Sequence, residues 1–501
     1  MHEHEQETQR DPARAAGGRA WRSGLTRGLA VLFGALWLSS CAVGPDYKQP
    51  EVKVEQKFEG AAPETYTTDA EAVAQFWTQF SDNTLNTLVT DSLQSNHDLR
   101  IALSRFSEAR ALRRESRFDL APTITASAGW TGQRFPEPQR QFFGDVNLYD
   151  AGFDAFWELD FFGRIRRNIQ ANTAELQSAE ASLRDAQVMV ISEVARTYFE
   201  LRGQQSQLAV AKRNVENQRA TLDLTNARLE AGRGTELDTS RAQAQLSNTL
   251  GTIAPLEAAV ARSIHSLSVL TGREPTALTA TLTPPEELPP IPELVAVGNP
   301  ADLLRRRPDI RASERTLAAD TARIGVAVAD LFPQVTFTGN IAFQATTLSG
   351  LGDANSGSHI FTPGITWAAF DLGRVRARIA GARARTEGSL AFYEQTVLRA
   401  LQETEDALVT HARSRERLMH MVDSARASET AARLARVRFN GGMVDFLEVL
   451  DAERTQLEAE DSLAQSRTDT ATSLIAVYKA LGGGWQDAPL PGGSPVAASS
   501  R

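Results

Sequence analysis

Apolar residues recur every seven positions through the first half of the chain: Leu176, Leu183 and Val190, then, after a shift of four, Val194, Leu201, Leu208, Val215, Leu222 and Leu229. This spacing predicts a helical seam with one stutter, running from Gly163 to Glu230 without a proline. At 1.5 Å per residue such a helix reaches roughly 100 Å, far beyond an ordinary domain. The seam resumes with Leu246, Ile253, Val260 and Leu267 in a second helix over about Thr235–Leu270, which Pro255 interrupts and should kink. A shorter helix is expected over Asp98–Asp119, stopping before Pro122 because the residue preceding a proline is pushed out of the helical region. After it the period changes. Thr123–Gln133 alternates, as in Ile124-Thr-Ala-Ser-Ala-Gly-Trp130, and Asn147–Asp160 is rich in aromatics, including Phe153, Phe156 and Trp157. Turn-forming residues separate the two, which is the pattern of a strand pair.

The same order returns at an offset of about 210 residues. Ala121-Pro122-Thr123-Ile124-Thr125 recurs as Phe332-Pro333-Gln334-Val335-Thr336, and Phe162-Gly163-Arg164-Ile165-Arg166 as Leu372-Gly373-Arg374-Val375-Arg376. Arg228-Leu-Glu-Ala-Gly232 recurs as Arg438-Phe-Asn-Gly-Gly442, and Gly272 as Gly482. Each unit therefore reads helix, hairpin, long helix, helix, and a Pro-rich connector over Arg273–Pro300 joins them. The two shorter helices of a unit, stacked end to end, match the reach of the long one. The implied organisation is repeat 1 over 98–272, a connector and equatorial region over 273–307 and repeat 2 over 308–482, preceded by an N-terminal segment over 41–97. At the start of repeat 2, Pro308 can open a helix, with Asp309 at the positive end of its dipole. Arg305, Arg306 and Arg307 are expected in solvated or intersubunit ion pairs.

The two ends carry different signals. Arg10, Arg14, Arg19, Arg22 and Arg27 precede an apolar segment, Leu29–Leu38, which ends in Ser39-Ser40-Cys41. A basic region, about ten apolar residues and small residues at the end read as a secretory leader over 1–40. Leu38-Ser39-Ser40-Cys41 resembles a bacterial lipobox, in which Cys41 is acylated and becomes the first mature residue; Ala42 after it points to the outer membrane. The tail over 483–501, rich in Gly, Pro, Ser and Ala, is expected to be disordered.

Composition narrows the function. With a net charge of −9 and a pI near 5.5, the chain lacks the basic footprint that nucleic-acid binding requires. A single Cys and seven dispersed His exclude a disulfide framework and a thiolate metal site, and no cofactor is expected. No nucleophile elbow, phosphate-binding loop or His-Glu-x-x-His helix is present, so no enzyme activity is expected. Beyond residue 40 no apolar run approaches the roughly 20 residues of a spanning helix, so any membrane crossing falls to strands. Four strands per chain are too few to close a barrel, and an open sheet edge is not tolerated in lipid, so several chains must combine. Three would give twelve strands. Val335-Thr-Phe-Thr-Gly339 alternates, and Trp130, Phe337, Phe343, Phe361, Trp367 and Phe370 suit an apolar exterior with aromatic girdles. The fold class expected is a mixed α/β membrane protein: a long α-helical coiled-coil barrel with a shared transmembrane β-barrel.

Four stretches carry a resemblance to the TolC/OprM outer-membrane efflux family, in its lipoprotein (NodT-like) branch serving RND-type tripartite systems. They are Cys41-Ala-Val-Gly-Pro-Asp-Tyr47, Gly298-Asn-Pro-Ala-Asp-Leu-Leu-Arg-Arg-Arg-Pro-Asp-Ile-Arg-Ala312, Phe370-Asp-Leu-Gly-Arg374 and Arg438-Phe-Asn-Gly-Gly-Met-Val-Asp-Phe-Leu-Glu-Val-Leu-Asp451. The resemblance implies a homotrimer held in outer-membrane lipid that passively conducts small molecules such as drugs or toxic compounds. It also implies a periplasmic adaptor (membrane fusion) protein and an inner-membrane RND-type pump as partners. The helical tips near Gly232 and Gly442 are where a closed pore should narrow. Glu448 and Asp451, three apart on one helix face, would make two carboxylate rings by threefold symmetry. By resemblance, Asp238 also matches a gate carboxylate, and Arg467 matches an arginine that ties the tips together. Phe439 stands where the TolC channel has a gating tyrosine and Val444 where it has a second arginine, so an apolar contact could replace that polar lock. Two other functions stay open at this point: a channel for type I protein secretion, and a coiled-coil envelope lipoprotein without a pore. The repeated hairpins weigh against the spacer, and the lipobox leans towards efflux.

Overall fold

The computed structural model describes residues 42–52, 55, 57–61, 65–67, 75–139, 144–292 and 294–486. The leader, Cys41 and the tail from 487 onward lie outside the described residues. In chain order the principal elements are β1 (Tyr66–Thr67), α1 (Asn83–Ser95), α2 (His97–Phe118), β2 (Thr123–Arg134), β3 (Asp145–Leu159), α3 (Arg164–Glu230), α4 (Glu236–Leu270), α5 (Thr279–Leu282), β4 (Val295–Ala296), α6 (Pro300–Arg306), α7 (Pro308–Ala329), β5 (Gln334–Ala345), β6 (Gly357–Thr366), α8 (Leu372–Asn440) and α9 (Phe446–Ala480). The helix and strand positions fall within a few residues of those the pattern predicts. Pro255 lies inside α4, which continues through it from Glu236 to Leu270. One missing N–H removes one hydrogen bond, and the turns on either side are long enough to hold the helix.

The chain packs as two compact units, each drawing on both halves. Of the described residues, the first comprises those of 42–49, 110–175 and 317–389, the second those of 50–109, 176–316 and 390–486.

The first unit holds a four-stranded antiparallel sheet in the order β2-β3-β5-β6. Its register sorts the side chains by chemistry. Ile124, Ala126, Ala128 and Trp130 stand opposite Ala155, Phe153, Ala151 and Tyr149. Phe153 and Trp157 stand opposite Ile341 and Phe337, and Gly339 and Val335 opposite Phe361 and Ile365. Directly paired residues share a face, so this side of the sheet is predominantly apolar, interrupted by His359 opposite Ile341 and, towards the hairpin end, by Asn147, Arg134 and Asp145. The other side carries Thr125, Ser127, Asp150, Asp154, Thr336, Thr338, Asn340 and Thr362, with Val146, Leu148, Phe156, Ala342 and Ile360 among them. There Asp154 accepts hydrogen bonds from Ser127 Oγ and Asn340 Nδ2, both at 2.8 Å. At the base of each hairpin an indole N–H donates to a carbonyl in the turn after a helix: Trp157 to Leu120, after α2, and Trp367 to Leu331, after α7, both at 3.0 Å.

The second unit is built on the heptad seam. Leu183, Val190, Val194, Leu201 and Val215 are buried, whereas Leu229, near the end of α3, is 37% exposed. Phe76, Phe80, Leu85, Tyr198, Phe199 and Tyr478 pack into the same core. The segments flanking the helices are fixed by buried polar groups. Tyr66 Oη donates to the Leu408 carbonyl (2.9 Å), and β1 pairs in parallel with β4. The fully buried Arg202 donates to Gln205 Oε1 (2.8 Å) and the Pro284 carbonyl (3.2 Å) and pairs with Glu286, stapling the connector to α3. Arg307 departs from the expectation of solvated or intersubunit pairing. It is 9% exposed and bonds within its own chain to Asp309 (2.7 Å), Glu403 (2.8 Å) and the Ala480 carbonyl (3.0 Å), because the α6–α7 junction is buried beside the end of α9.

Candidate functional site

Two turns end the long helices. Gly232, after α3, and Gly442, after α8, have φ of +69° and +71°, the left-handed conformation that closes a helix at little cost only for glycine. The amides of Arg233 and Met443 return to the carbonyls of Arg228 and Arg438 at 2.8 and 2.9 Å. An apolar cluster lies beside these turns: Phe439 of α8, Phe446 and Val449 of α9 and Ala242 of α4, with Leu222 and Val444 against them. The rings of Phe439 and Phe446 lie 5.6 Å apart at 53°. Phe439 and Val444, the two positions that depart from the TolC pattern, therefore sit together in an apolar contact.

Arg228 of α3 reaches this cluster. Its guanidinium lies over the Phe439 ring at 3.8 Å from the centroid, and Nη2 donates to the Phe439 carbonyl at 2.9 Å. One side chain thus holds the end of α3 to the end of α8 by a cation–π contact and a charge-assisted hydrogen bond. Sequence reasoning used Arg228 only as a landmark of the repeat. The contact joins residues 211 positions apart, and its counterpart in the repeat, Arg438, makes a different one.

The predicted carboxylates are distributed unevenly. Glu448 and Asp451 lie on the exposed face of α9, each with a cation: Arg438 is 3.8 Å from Glu448, and Arg454 is 2.9 Å from Asp451. Asp238 serves as a helix cap. Thr235 Oγ1 accepts from the Asp238 amide (3.2 Å), while Asp238 Oδ2 accepts from the Thr235 amide (3.3 Å) and hydroxyl (2.7 Å), a complete capping box on α4. Arg467 is not brought to this group. It stands about 24 Å further along α9 than Asp451 and lines a cavity with Gly203, Arg213 and the Pro285–Pro289 stretch of the connector.

Next to the tip cluster, a polar layer crosses the helices. Glu453, 2% exposed, accepts from Arg436 Nε (2.7 Å) and Thr221 Oγ1 (3.0 Å). Further along α3 and α9, Asn214 Nδ2 donates to Glu460 (3.3 Å) and Gln207 Nε2 to Asp461 (2.9 Å). Polar residues inside a heptad seam specify register at a cost in stability. Away from the tip, burial, reinforced by the positive charge of Arg415, pushes His411 down to about 4. Burial, reinforced by the negative charge of Asp309, pushes Asp185 up to about 6. Among the described residues no group of His, Cys, Asp and Glu could hold a metal ion, and no helix is long and apolar enough to cross a membrane.

A sheet with one apolar and one polar face, in a chain with helices of 67 and 69 residues, belongs to an outer-membrane channel. The family model described as outer membrane efflux protein matches residues 88–273 and 299–483, and the chain belongs to that family. It is 32% identical over 468 residues to the toluene efflux pump outer membrane protein TtgC of Pseudomonas putida, covering 92% of this chain and 96% of that protein. It is 31% identical over 473 residues to the outer membrane protein OprJ of Pseudomonas aeruginosa, with the same coverage of 92% and 96%. Among solved structures, the outer-membrane channel OprN superposes with a TM-score of 0.83 at 43% identity, covering 89% of this chain and 100% of that one. The protein is an outer-membrane efflux channel.

Proposed function

We propose that this chain forms, as a homotrimer, the exit duct of a tripartite efflux system, passively conducting drugs or toxic small molecules delivered by a periplasmic adaptor and an inner-membrane RND-type pump. The observation that carries this reading is the sheet. Its apolar face exposes Ile124, Trp130, Phe153, Ile341, Phe361 and Ile365, each by more than half, and among the described residues its outer strands β2 and β6 have no partner strand along their free edges. Apolar surface of this extent is stable against lipid, and the two edges are satisfied when β6 of one copy pairs with β2 of the next. A strand of 12 residues is about 40 Å long, which at a tilt near 40° spans the ~30 Å hydrocarbon core. Three copies close twelve strands, with the polar face and Asp150 and Asp154 turned to the lumen.

The equal lengths of α2 and α7, 22 residues each, and of α4 and α9, 35 each, support a duplicated unit. In this reading Glu448 and Asp451 ring the periplasmic constriction, compensated by Arg438 and Arg454, and Arg228 on Phe439 supplies the lock between the two helical hairpins. Cys41 carries the lipid. One relative is a toluene efflux pump outer membrane protein; substrate choice here falls to the pump, since a wide solvated duct discriminates little. The test is the mass and conductance of the detergent-extracted protein: a trimer that conducts ions across a planar bilayer is expected, and a monomer without conductance overturns the proposal.

A further inference from the structure

Of the stretch Cys41-Ala-Val-Gly-Pro-Asp-Tyr47, the proposed function uses only the first residue. The residues after it are held by a built site in the first unit. Arg167, in the first turn of α3, is 4% exposed. Its Nε donates to the Val43 carbonyl (3.0 Å) and its Nη2 to the carbonyls of Ala42 (3.1 Å) and Gly44 (3.2 Å). Its Nη1 donates to Asp46 Oδ1 and Gln170 Oε1, both at 2.9 Å. A guanidinium has five N–H groups in a fixed fork, and all are used. The Val43 amide in turn donates to the Phe162 carbonyl (3.1 Å).

Glycines let the backbones touch. A Cβ on Gly163, at φ +82°, would fall 2.6 Å from Ala42 Cα, and one on Gly44, at φ +95°, 2.5 Å from Gly325 Cα. A Cβ on Gly325 would meet the Arg167 stem at 2.8 Å. Tyr47 then packs on Ala174 of α3 and Ala318 and Ala319 of α7. The segment thus lies across the start of α3 and the small-residue face of α7, elements from opposite halves of the chain.

We propose that Gly163, Arg167 and Gly325 form a docking site for the chain's own N-terminal segment, Ala42–Tyr47, with Arg167 as the residue that positions the anchor. On the reading of Cys41 as the lipidated residue, the anchor is bonded directly to Ala42, whose carbonyl Arg167 holds beside the turn between β3 and α3. The anchor and the base of the sheet then move as one body, and the segment is no loose tether. The placement of the lipid rests on the reading of Cys41 above; the docking of residues 42–47 does not.

The test is hydrogen exchange on the full-length, detergent-solubilised protein, with the N-terminal peptide weighed in the same experiment. In the wild type the Val43 amide is protected. Arg167→Met should exchange there about 100-fold faster, with protection across α9 unchanged, and Arg167→Lys should fall between, since an ammonium cannot reach all five acceptors. Protection retained in Arg167→Met overturns the proposal. Should that variant fail to accumulate, Asp46→Asn decides, because the Asp46 side chain is 83% exposed and its change leaves the core alone. About 10-fold faster exchange is expected, and none overturns the docking site. An N-terminal peptide without acyl mass in the wild type would remove the lipid reading while leaving the exchange result to judge the docking.

Discussion

Arg228→Met removes the charge that joins the ends of α3 and α8 while keeping an unbranched stem of similar reach. Two terms disappear together. A guanidinium 3.8 Å above the Phe439 ring contributes about 1 kcal/mol at a partly exposed site, and its charge-assisted hydrogen bond to the Phe439 carbonyl about 1.5. Arg228 is half-buried, so solvent screening trims the sum to about 2 kcal/mol, or ~30-fold in the population of the closed tip. Phe439→Leu keeps the carbonyl but deletes the ring, and should shift the same population by only about 5-fold. The assay is single-channel recording in planar bilayers, reading open probability for both variants and the double variant. If the two side chains act on each other, the double variant opens less than the product of the single effects. Closed-state occupancy unchanged in Arg228→Met, or effects that multiply cleanly, would refute the lock.

Asp238→Asn should leave conductance and cation preference as in the wild type, because an amide still accepts at the cap; Thr235→Val should cost about 1 kcal/mol of stability, read by thermal denaturation. Altered selectivity in Asp238→Asn would return that residue to the gate. Asp451→Ala removes a carboxylate from each copy at the tip and frees Arg454, so reversal potentials in a salt gradient should shift towards anions, and an indifferent channel removes the assignment. His411, buried between Tyr66 and Ser473, has its folded value lowered to about 4 from an ordinary value near 6.5. Its neutral form stabilises the fold above about pH 6.5, and that contribution fades as the pH falls towards 4, by up to about 3 kcal/mol. Denaturant titrations of His411→Gln should show a flatter acid limb than the wild type, and parallel limbs would contradict this.

Much of the architecture is legible in local pattern. The heptad from Leu176 to Leu229 marks α3, alternation from Ile124 to Trp130 marks β2, and Pro122 and Pro308 mark helix boundaries, because each signal is a property of neighbouring residues and of backbone sterics. The family, too, is readable, since its signatures are short contiguous stretches. The alternation even anticipates a sheet with one apolar side, although which residues face one another depends on the β3–β5 pairing, which joins the two halves of the chain.

Partner choice is a different matter, because it is set by packing between residues distant in sequence. Glu448, Asp451 and Asp238 look alike as carboxylates near a turn, yet two lie on an open helix face and the third closes a capping box with Thr235. Arg167, Arg202, Arg228 and Arg307 are four arginines among many in the sequence. Burial makes an unpaired charge costly, so each is surrounded by acceptors or a ring drawn from remote segments, and the identity of those groups follows only from how the helices and sheet come together. Periodicity determined the elements, and long-range desolvation decided which charges became clamps.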